Sequence, residues 1–451
     1  METTETKMLF DGVRGVAVKI LNRVERTDAY LDKLISYELK NSDWNDLDKS
    51  LLNELVHGVL RWQLKLDWVI NGFFHGSFSK SEVIVKNSLR VALYQILFLD
   101  KIPHHASVNE AVTFIKRIRG EKAANLVNAV LRNIIRSINQ INYPDPKKDD
   151  VQYLSIMYSF PSWMVRRWKE RFGYEETEKL LTANNIKPTL TIRLNTIKMK
   201  PDAMIEYLKN QNCEIERSKY LPQFIRCASL SSIGESELFK QGFVTVQDES
   251  AGLACTLLDV KPNETILDMC AAPGGKTTFF GEVMNNSGKI IAVDKYSERL
   301  KLVKDSCARL GLKNVETISA DGKELQMELV DKILLDAPCS GLGVLSKKPD
   351  IKIKRDIENI RELAKLQTEL LRHAATLIKP NGAIVYSTCT TEPEENMEIV
   401  KIFLDAHPEF KIDDAKNYVN AEVVNEFGAI ETFPHRHGID GSFAVRFIKQ
   451  N

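Results

Sequence analysis

The spacing of apolar residues predicts a helical region at the start of the chain. Up to about residue 140 they recur at helical intervals, as in SLLNELVHGVLRWQLKLDWVI (50–70) and AANLVNAVLRNIIRSI (123–138), with little glycine or proline. The segment NYPDPKKDD (Asn142–Asp150) then interrupts the pattern and is typical of a linker. We therefore predict an all-α domain over residues 1–141 and a linker over residues 142–150.

A mixed pattern follows over residues 151–240. YSFPSWMVRRWKERFG indicates a helix entered through Pro161 and Ser162, and PDAMIEYLKNQNC indicates another. Between them TLTIRLNTI (Thr189–Ile197) alternates and is rich in β-branched residues, which favours a strand. These elements predict a small α/β module.

Residues 241–451 alternate short apolar runs with helical stretches. ETILDMC, KIIAVDK, KILLDAP and AIVYSTC indicate buried strands, and IENIRELAKLQTELLRHAATLIK indicates a helix that we expect to end at the breaker Pro380–Gly382. This alternation predicts a mostly parallel sheet covered on both faces, with ligands beyond the carboxyl ends of its strands. The residues expected at those ends are Asp268, Cys270, Asp294, Asp336, Cys339 and Cys389.

Composition narrows the class of protein. The chain of 451 residues is 43% hydrophobic and 27% charged, which is typical of a soluble globular protein of several domains. The N-terminal sequence METTETKMLFDGVR lacks the apolar region of a signal peptide, and no apolar run is long enough to span a bilayer. Seven scattered cysteines without a C-x-x-C pair argue against zinc and thioredoxin chemistry and favour reduced thiols in a cytosolic enzyme.

The net charge of +1 neither requires nor excludes nucleic acid. Basic stretches occur at RRWKER (Arg166–Arg171), Lys347–Lys348 and KIKR (Lys352–Arg355), although each alone is more simply a solvated helix face. The histidine pairs His104–His105 and His435–His437 have no cysteine or acid beside them in a ligand pattern, so we predict no metal.

The stretch LDMCAAPGGKTTFF predicts a cofactor loop between a strand and a helix. Gly274 and Gly275 allow the backbone to approach a ligand, but Cys270 replaces the first P-loop glycine and no G-x-G-x-x-G is present. Asp294 lies about 20 residues further on, a spacing that suits ribose hydroxyls. Asp321 in ISADGK could reach an adenine amino group. A nucleoside with a carboxylate tail and no phosphate fits this set, which indicates S-adenosylmethionine.

Two predicted strands end in a small polar segment with one cysteine, Cys339 in DAPCSG and Cys389 in YSTCTT. Methylating C5 of a pyrimidine requires a thiolate that adds to C6, followed by loss of the C5 proton and expulsion of the thiol. One cysteine could be the nucleophile and the other could assist release, and Asp336 could accept from a cytosine amino group. Buried packing cysteines are the simpler alternative.

Six sequence segments resemble a known family. LDMCAAPGGKT, LLDAPCSGLG and YSTCTTEPEEN resemble the RNA cytosine-C5 methyltransferases. VHGVLRWQLKLDWVI, IPHHASVNEAV and LVNAVLRNI resemble the helical NusB-like domain of their ribosomal RNA small subunit methyltransferase B branch, also called the Sun or Fmu type. The resemblance implies a NusB-like domain, a small α/β module and a Rossmann-like methyltransferase domain over residues 241–451.

The same resemblance implies the reaction and the residues. It points to C5 of a cytosine at position 967 of 16S rRNA, with Cys389 as nucleophile and Cys339 as the residue that assists release. The enzyme is then expected to be a cytoplasmic monomer that acts on 16S rRNA, either free or in an early assembly intermediate. We expect it to bind no DNA, no membrane and no metal. The implied cofactor contacts are Cys270, Ala271, Ala272, Pro273, Gly274, Gly275, Lys276, Asp294, Asp321 and Asp336.

Some positions depart from the family pattern, and other functions compete. Ser346 and Lys347 stand where the family usually has arginines, and Ile353 and Ser442 each stand where an aromatic residue is expected.

The alternative functions are methylation of another RNA such as tRNA, DNA cytosine-C5 methylation, and a non-catalytic role in RNA binding or antitermination. DNA enzymes use the Pro-Cys cysteine as nucleophile, and an intact cofactor loop argues against a non-catalytic role.

Overall fold

The computed structural model describes residues 9–27, 29–210, 213–227 and 233–451. Within them, contacts divide the chain into two compact units. The first unit runs to Ile186 and also contains Lys348–Lys354, and the second contains Lys187–Lys347 and Arg355–Asn451. No helix among the described residues is both long and apolar enough to cross a membrane.

The first unit is helical. Some of its helices have capping side chains, as where Asn45 accepts from the backbone N–H of Asp48 at 2.9 Å. Gly58 is required where two helices meet, because a Cβ there would lie 2.1 Å from the ring of Tyr94. Gly120 interrupts the longest helix with a φ of +79°. The helices are α1 (Gly12–Arg26), α2 (Leu31–Lys40), α3 (Asp46–Phe73), α4 (Val83–Phe98), α5 (His104–Arg136), α6 (Asp150–Tyr158), α7 (Ser162–Phe172) and α8 (Tyr174–Asn185).

The predicted linker at Asn142–Asp150 packs against the helices before it. The indole N–H of Trp68 donates to the carbonyl of Asn142 at 2.9 Å, and Tyr143 is half-buried against the helical core. Helix α6 then packs on α3. The compact unit therefore continues beyond the predicted boundary at residue 141, because apolar and hydrogen-bonding side chains in the Pro-rich segment attach it to α3.

The predicted basic stretch KIKR places one lysine inside the first unit. Lys352, in the short helix Ile351–Lys354, is buried, and its Nζ donates to the carbonyls of Arg61 and Ser159 at 3.1 and 3.2 Å and to Oδ1 of Asn185 at 3.0 Å. Burial lowers the pKa of Lys352 well below its ordinary value. The expectation of a solvated basic face is wrong for this residue, because its side-chain nitrogen donates to three oxygens inside the first unit.

Replacing Lys352 with alanine should lower the free energy of unfolding of the first unit by about 2–4 kcal/mol, because three acceptors lose their donor. All five tryptophans lie in this unit, at positions 44, 62, 68, 163 and 168, so urea unfolding followed by tryptophan fluorescence reports on it selectively. Lys348→Ala is the matched control, since Lys348 is exposed. Equal unfolding midpoints for both variants would contradict a stabilising role for Lys352.

The second unit begins with a small antiparallel sheet. Its strands are ordered β2-β3-β1-β4 and share an apolar core with one helix, as in Ile192, Ile225 and Leu208. The sequence predicts a small α/β module over residues 151–240; the sheet begins within that range, whereas the predicted helix at Pro161 and Ser162 belongs to the first unit. Its elements are β1 (Leu190–Leu194), α9 (Pro201–Asn210), β2 (Ile215–Arg217), β3 (Phe224–Cys227) and β4 (Val244–Val246), with a short helix at Glu237–Lys240.

A large mixed sheet forms the rest of the unit, in the order β10-β12-β9-β8-β5-β6-β7, with β11 paired to β12. Strands β5 to β9 are parallel to one another, whereas β12 is antiparallel to β9, β10 and β11. The elements are α10 (Glu249–Leu258), β5 (Thr265–Asp268), α11 (Gly275–Val283), β6 (Lys289–Asp294), α12 (Ser297–Leu310), β7 (Val315–Ser319), β8 (Val330–Asp336), α13 (Ile357–Leu377), β9 (Ile378–Thr388), α14 (Met397–Ala406), β10 (Phe410–Asp413), β11 (Ile430–Thr432) and β12 (Ser442–Lys449).

Helices cover both faces of this sheet, because alternate strand residues point to opposite sides. Leu267 packs in one core with Leu370 of α13, whereas its neighbour Ile266 packs in the other with Phe280 of α11. Helix α13 ends at Leu377, earlier than predicted, and the expected breaker Pro380–Gly382 lies inside β9, close to an irregularity in its register with β8.

The strand order reverses between β5 and β8. The chain runs from β5 through β6 to β7 on one side, and then returns to place β8 and β9 on the other. In open sheets of this kind, ligands bind in the crevice beyond the carboxyl ends of the strands at such a reversal. Asp268 and Asp336 end the two strands that flank it.

Candidate active site

The predicted cofactor loop connects β5 to α11. The N–H of Ala271 donates to the carbonyl of Val293 on β6 at 2.8 Å, and the N–H of Gly274 donates to Ala271 at 2.7 Å. Gly274 has a φ of +105°, and a Cβ there would lie 3.1 Å from Cα of Val303. The loop can therefore pass this point only as glycine, and α11 begins at Gly275 with its first N–H groups unpaired within the helix.

Asp268 lies buried beneath this loop. Its Oδ2 accepts from the hydroxyl of Thr277 at 2.7 Å, and its Oδ1 has no hydrogen-bond partner in the part of the chain that the structure describes. Burial raises the pKa of Asp268 to about 7, and the Asp336 carboxylate adds to this, although the Thr277 hydroxyl opposes it. A cationic group that binds beside Asp268 would therefore favour the ionised form of this carboxyl group.

Asp294 and Asp321 lie beyond the ends of β6 and β7. Asp294 is buried at the end of its strand, with Arg299 Nη1 at 3.2 Å from its Oδ2. Asp321 is more open, and a hydrogen bond from the backbone N–H of Lys323, with the ammonium group of Lys295, lowers the pKa of its carboxyl. The two carboxylates therefore lie at the carboxyl ends of adjacent parallel strands, β6 and β7.

Lys276 and Asp336 form a close ion pair, with 2.6 Å between Nζ and Oδ2. The other carboxylate oxygen of Asp336 accepts from the hydroxyl of Ser387 at 3.0 Å. Burial alone would lower the pKa of Lys276, but the Asp336 carboxylate outweighs this effect and raises it. Lys276 therefore stays charged and Asp336 is held at the end of β8.

The structure brings the two cysteines together. Asp336 on β8 lies opposite Ser387 on β9, and each strand continues into a cysteine loop. The Sγ atoms of Cys339 and Cys389 are 3.0 Å apart, and the N–H of Cys389 donates to Sγ of Cys339 at 3.2 Å. The hydrogen bond to Cys389, together with burial, raises the pKa of Cys339 well above its ordinary value. Cys389 is exposed and Cys339 is half-buried, so solvent reaches the pair from the Cys389 side.

A buried glutamate that the sequence analysis missed connects the two cysteine loops. Glu395, six residues after Cys389, accepts from the N–H of Ser340 at 2.8 Å and from Nε2 of Gln367 at 2.9 Å. Gln367 Nε2 also donates to the carbonyl of Pro338 at 2.8 Å. Burial raises the pKa of Glu395. The acid-rich segment EPEEN stands out in the sequence, but the sequence does not show which distant residues Glu395 contacts.

Glycine also fixes the spacing of these loops. The N–H of Gly343 donates to the carbonyl of Cys389 at 3.0 Å. A Cβ on Gly343 would lie 1.9 Å from the carbonyl oxygen of Gly441 and 2.9 Å from that of Cys389. The loop after Cys339 can approach the backbone of Cys389 this closely only without a side chain.

The small sheet supports the cofactor loop through a second missed residue. Arg193 on β1 is buried and binds both carboxylate oxygens of Glu282, at 2.8 and 3.0 Å, and the carbonyl of Gly275 at 2.8 Å. It also donates to Gln247, whose buried Nε2 has no partner among the described residues. The contacts with Gly275 and Glu282 join positions more than eighty residues apart, which explains why local sequence did not reveal them.

Two departures from the family pattern have local explanations. Lys347 forms ion pairs with Asp248 and Asp440, so this lysine of the predicted basic stretch is held by acids. The Ser442 hydroxyl lies 2.9 Å from that of Thr432 on the neighbouring strand β11. The structure contains no group of three or more His, Cys, Asp or Glu residues able to hold a metal ion among the residues it describes.

Family models match three consecutive segments. Residues 12–136 match the NusB family, residues 160–233 the ferredoxin-like domain of RsmF/B-like methyltransferases, and residues 255–448 the 16S rRNA methyltransferase RsmB/F model. A Bacillus subtilis protein named a probable ribosomal RNA small subunit methyltransferase B is 36% identical over 446 residues, covering 97% of this chain and 99% of that protein. The chain belongs to the ribosomal RNA small subunit methyltransferase B family.

Further relatives extend over the same length. The ribosomal RNA small subunit methyltransferase B of Photorhabdus laumondii is 32% identical over 442 residues, covering 97% of this family member and 99% of the relative. The crystal structure of PH0851 superposes with a TM-score of 0.83 at 29% identity, covering 97% and 99% of the two chains. The predicted fold class is confirmed, and the protein is a methyltransferase of the small-subunit ribosomal RNA type.

Proposed function

We propose that this enzyme transfers a methyl group from S-adenosylmethionine to C5 of a cytosine in 16S rRNA, through a covalent bond between Cys389 and C6. The observation that carries the proposal is the pair of sulfur atoms 3.0 Å apart beside the Lys276–Asp336 ion pair. Both sulfurs can reach one extruded base, as the two halves of the reaction require.

The residues at the carboxyl ends of β5, β6 and β7 suit the methyl donor, which supplies an activated methyl group when bound. We assign Asp294 to the ribose hydroxyls and Asp321 to the adenine amino group. The N-terminus of α11 and the loop before it suit the carboxylate tail. The loop residues that we assign to this contact are Cys270, Ala271, Ala272, Pro273, Gly274, Gly275 and Lys276.

The residues around the cytosine carry out the addition of Cys389 to C6 and its later release. Cys389 Sγ, as the thiolate, forms a bond to C6, and the displaced electron pair makes C5 the nucleophile that takes the methyl group. Asp336, held by Lys276, accepts a hydrogen bond from the cytosine N4 amino group. Loss of the C5 proton then returns the electron pair to the ring and breaks the Sγ–C6 bond.

Cys339 is our candidate for the group that accepts the C5 proton. In the free enzyme, its hydrogen bond to Cys389 is the largest cause of its raised pKa. Once Sγ of Cys389 is bonded to C6, it no longer carries the charge that holds a proton on Cys339. The pKa of Cys339 should therefore fall at the stage when a base is needed.

The substrate can be tested directly by incubating the enzyme with labelled S-adenosylmethionine and 16S rRNA, tRNA or DNA. We expect label in 16S rRNA alone, at one cytosine located by bisulfite mapping, with protein-free rRNA and early assembly intermediates compared. Label in tRNA would support the alternative of another RNA, and label in DNA would contradict the proposal. We place the reaction of a monomeric enzyme in the cytoplasm, where ribosomal RNA is processed.

Replacing Asp294 with alanine should weaken S-adenosylmethionine binding roughly a hundredfold, because two hydrogen bonds from ribose hydroxyls to a charged acceptor are lost at about 1.5 kcal/mol each. Calorimetric titration measures the affinity. Asp305→Ala is the matched control, since Asp305 is exposed on the helix that follows β6. Equal affinities in the two variants would remove Asp294 from the cofactor site.

Cofactor affinity should also depend on pH through Asp268. Its pKa of about 7 in the free enzyme means that the acid is largely protonated below neutrality. Because S-adenosylmethionine carries positive sulfonium and ammonium groups, binding should favour the ionised form, so affinity should rise with pH up to about 7 and then level off. Asp268→Asn should flatten this dependence. A wild-type affinity that stays constant between pH 5 and 8 would contradict the assignment.

A further inference from the structure

A cavity lies within the helical first unit, whereas the residues assigned to catalysis belong to the second unit. It has a volume of about 220 Å³ and is formed by α1, α4 and α5. The buried residues Val91, Ala92 and Phe114 are part of its lining. Pockets for drug-sized ligands are commonly about 300–1,000 Å³, so this one suits a single ring system.

The lining of the cavity includes an unsatisfied hydroxyl group. Ser107 is fully buried, and its Oγ has no hydrogen-bond partner among the described residues. The neighbouring buried polar groups are satisfied, since Ser88 donates to the carbonyl of Ile84 at 2.7 Å and Gln95 donates to Val91 at 2.9 Å. Buried polar groups are normally paired, so a polar ligand that enters the cavity as far as Ser107 would satisfy this hydroxyl.

The mouth of the cavity combines donors and acceptors. Arg14 bonds through Nε to Gln95 at 2.7 Å, and Arg117 bonds through Nη2 to the carbonyl of Leu9 at 2.8 Å, so each guanidinium is oriented. The carboxylates of Asp11 and Glu110 line the same opening. Two acids beside two arginines leave no excess positive charge, which argues against a phosphate and for a neutral group with both donors and acceptors.

We propose that this cavity binds an unpaired guanine base of the RNA substrate. Guanine offers the adjacent acceptors O6 and N7 to an arginine, and the donors N1–H and N2–H₂ to a carboxylate. Unpaired bases are recognised in this way, by hydrogen bonds to their edges and contact with aromatic side chains. The choice of RNA as the source of the base rests on the proposed function, whereas the chemistry of the cavity does not.

Binding of a 16S rRNA fragment to the full chain tests the proposal without any methylation step. We expect that replacing the contacted guanosine with inosine, which lacks the N2 amino group, weakens binding about tenfold in the wild type. Glu110→Gln should bind the guanosine RNA about tenfold more weakly and should no longer distinguish inosine from guanosine. Arg132→Ala, which removes an exposed charge elsewhere on α5, should keep the wild-type preference.

A second variant and a free nucleotide complete the test. Ser107→Ala removes the hydroxyl with little change in volume, and it should weaken RNA binding while the thermal unfolding temperature is kept. GMP is the probe for a free ligand. If GMP raises the unfolding temperatures of variants at Arg14 and Glu110 by different amounts, but RNA binds all variants equally, the cavity serves a free nucleotide and the proposal is overturned. Equal RNA affinities with no inosine effect also overturn it.

These results are separable from the proposed function. If the wild type binds guanosine RNA through the cavity but transfers no methyl group to it, the cavity proposal stands and the catalytic proposal fails. If methylation proceeds normally and every cavity variant keeps the wild-type Kd and KM for RNA, the catalytic proposal stands and the cavity proposal fails.

Discussion

The Cys389→Ala enzyme is expected to transfer no methyl group and to form no covalent complex with RNA. The variant lacks the only atom that our mechanism bonds to C6, and without that bond C5 is too weak a nucleophile to react. Folding and cofactor binding should be kept, because Cys389 is exposed and its sulfur lies on the base side of the crevice. Methyl transfer from labelled S-adenosylmethionine and a denaturing gel with labelled rRNA measure the two outcomes.

The Cys339→Ala enzyme should fail at a later step. Addition to C6 and methylation remain possible, but the C5 proton is removed slowly, so an adduct of protein and methylated RNA should accumulate on the same gel. Cys213→Ser, in the small α/β module, is the control that should behave as the wild type. An adduct with Cys389→Ala and none with Cys339→Ala would reverse the two roles. Full turnover in both variants would make the pair packing residues.

The meeting of these cysteines was predictable because it depends on local pattern. Apolar runs separated by helices indicate parallel strands, and parallel strands place their carboxyl ends at one edge of a sheet. Asp336 and Ser387 are adjacent in the register of β8 and β9, and a few residues of loop then suffice to bring Cys339 and Cys389 together. The position of each cysteine just after its strand thus predicted that Cys339 and Cys389 would lie close together.

Burial of charge was not predictable in the same way. The KIKR stretch resembles a solvated helix, but Lys352 is buried because its acceptors Arg61, Ser159 and Asn185 come from three distant parts of the sequence. Arg193 is likewise buried by its pairing with Glu282 on α11. Residue type and local spacing indicate surface for such side chains, whereas tertiary partners decide the outcome.

Glu395 shows the same limit at the site itself, and it leads to the second large effect. It accepts hydrogen bonds from both the loop that carries Cys339 and the helix α13, through Ser340 and Gln367. Because burial raises its pKa, the folded protein binds this proton to a higher pH than the unfolded chain. The contribution of Glu395 to stability should therefore fall as pH rises from the ordinary glutamate pKa to the raised one, and it should vanish in Glu395→Gln.

Glu395→Gln should lower kcat roughly a hundredfold, equivalent to about 3 kcal/mol, while S-adenosylmethionine affinity is kept. The amide oxygen can still accept from the N–H of Ser340 and from Gln367, but the NH₂ group replaces Oε2, which accepts from the hydroxyl of Ser340. The loop that carries Cys339 thereby loses its charged acceptor, and we expect it to move away from Cys389. Since Cys389 keeps its place at the end of β9, addition to C6 should persist and adduct should build up as in Cys339→Ala. Glu398→Gln, an exposed glutamate three residues further on, should retain full activity. If Glu395→Gln turns over normally without adduct, Glu395 contributes to folding and does not position the cysteine.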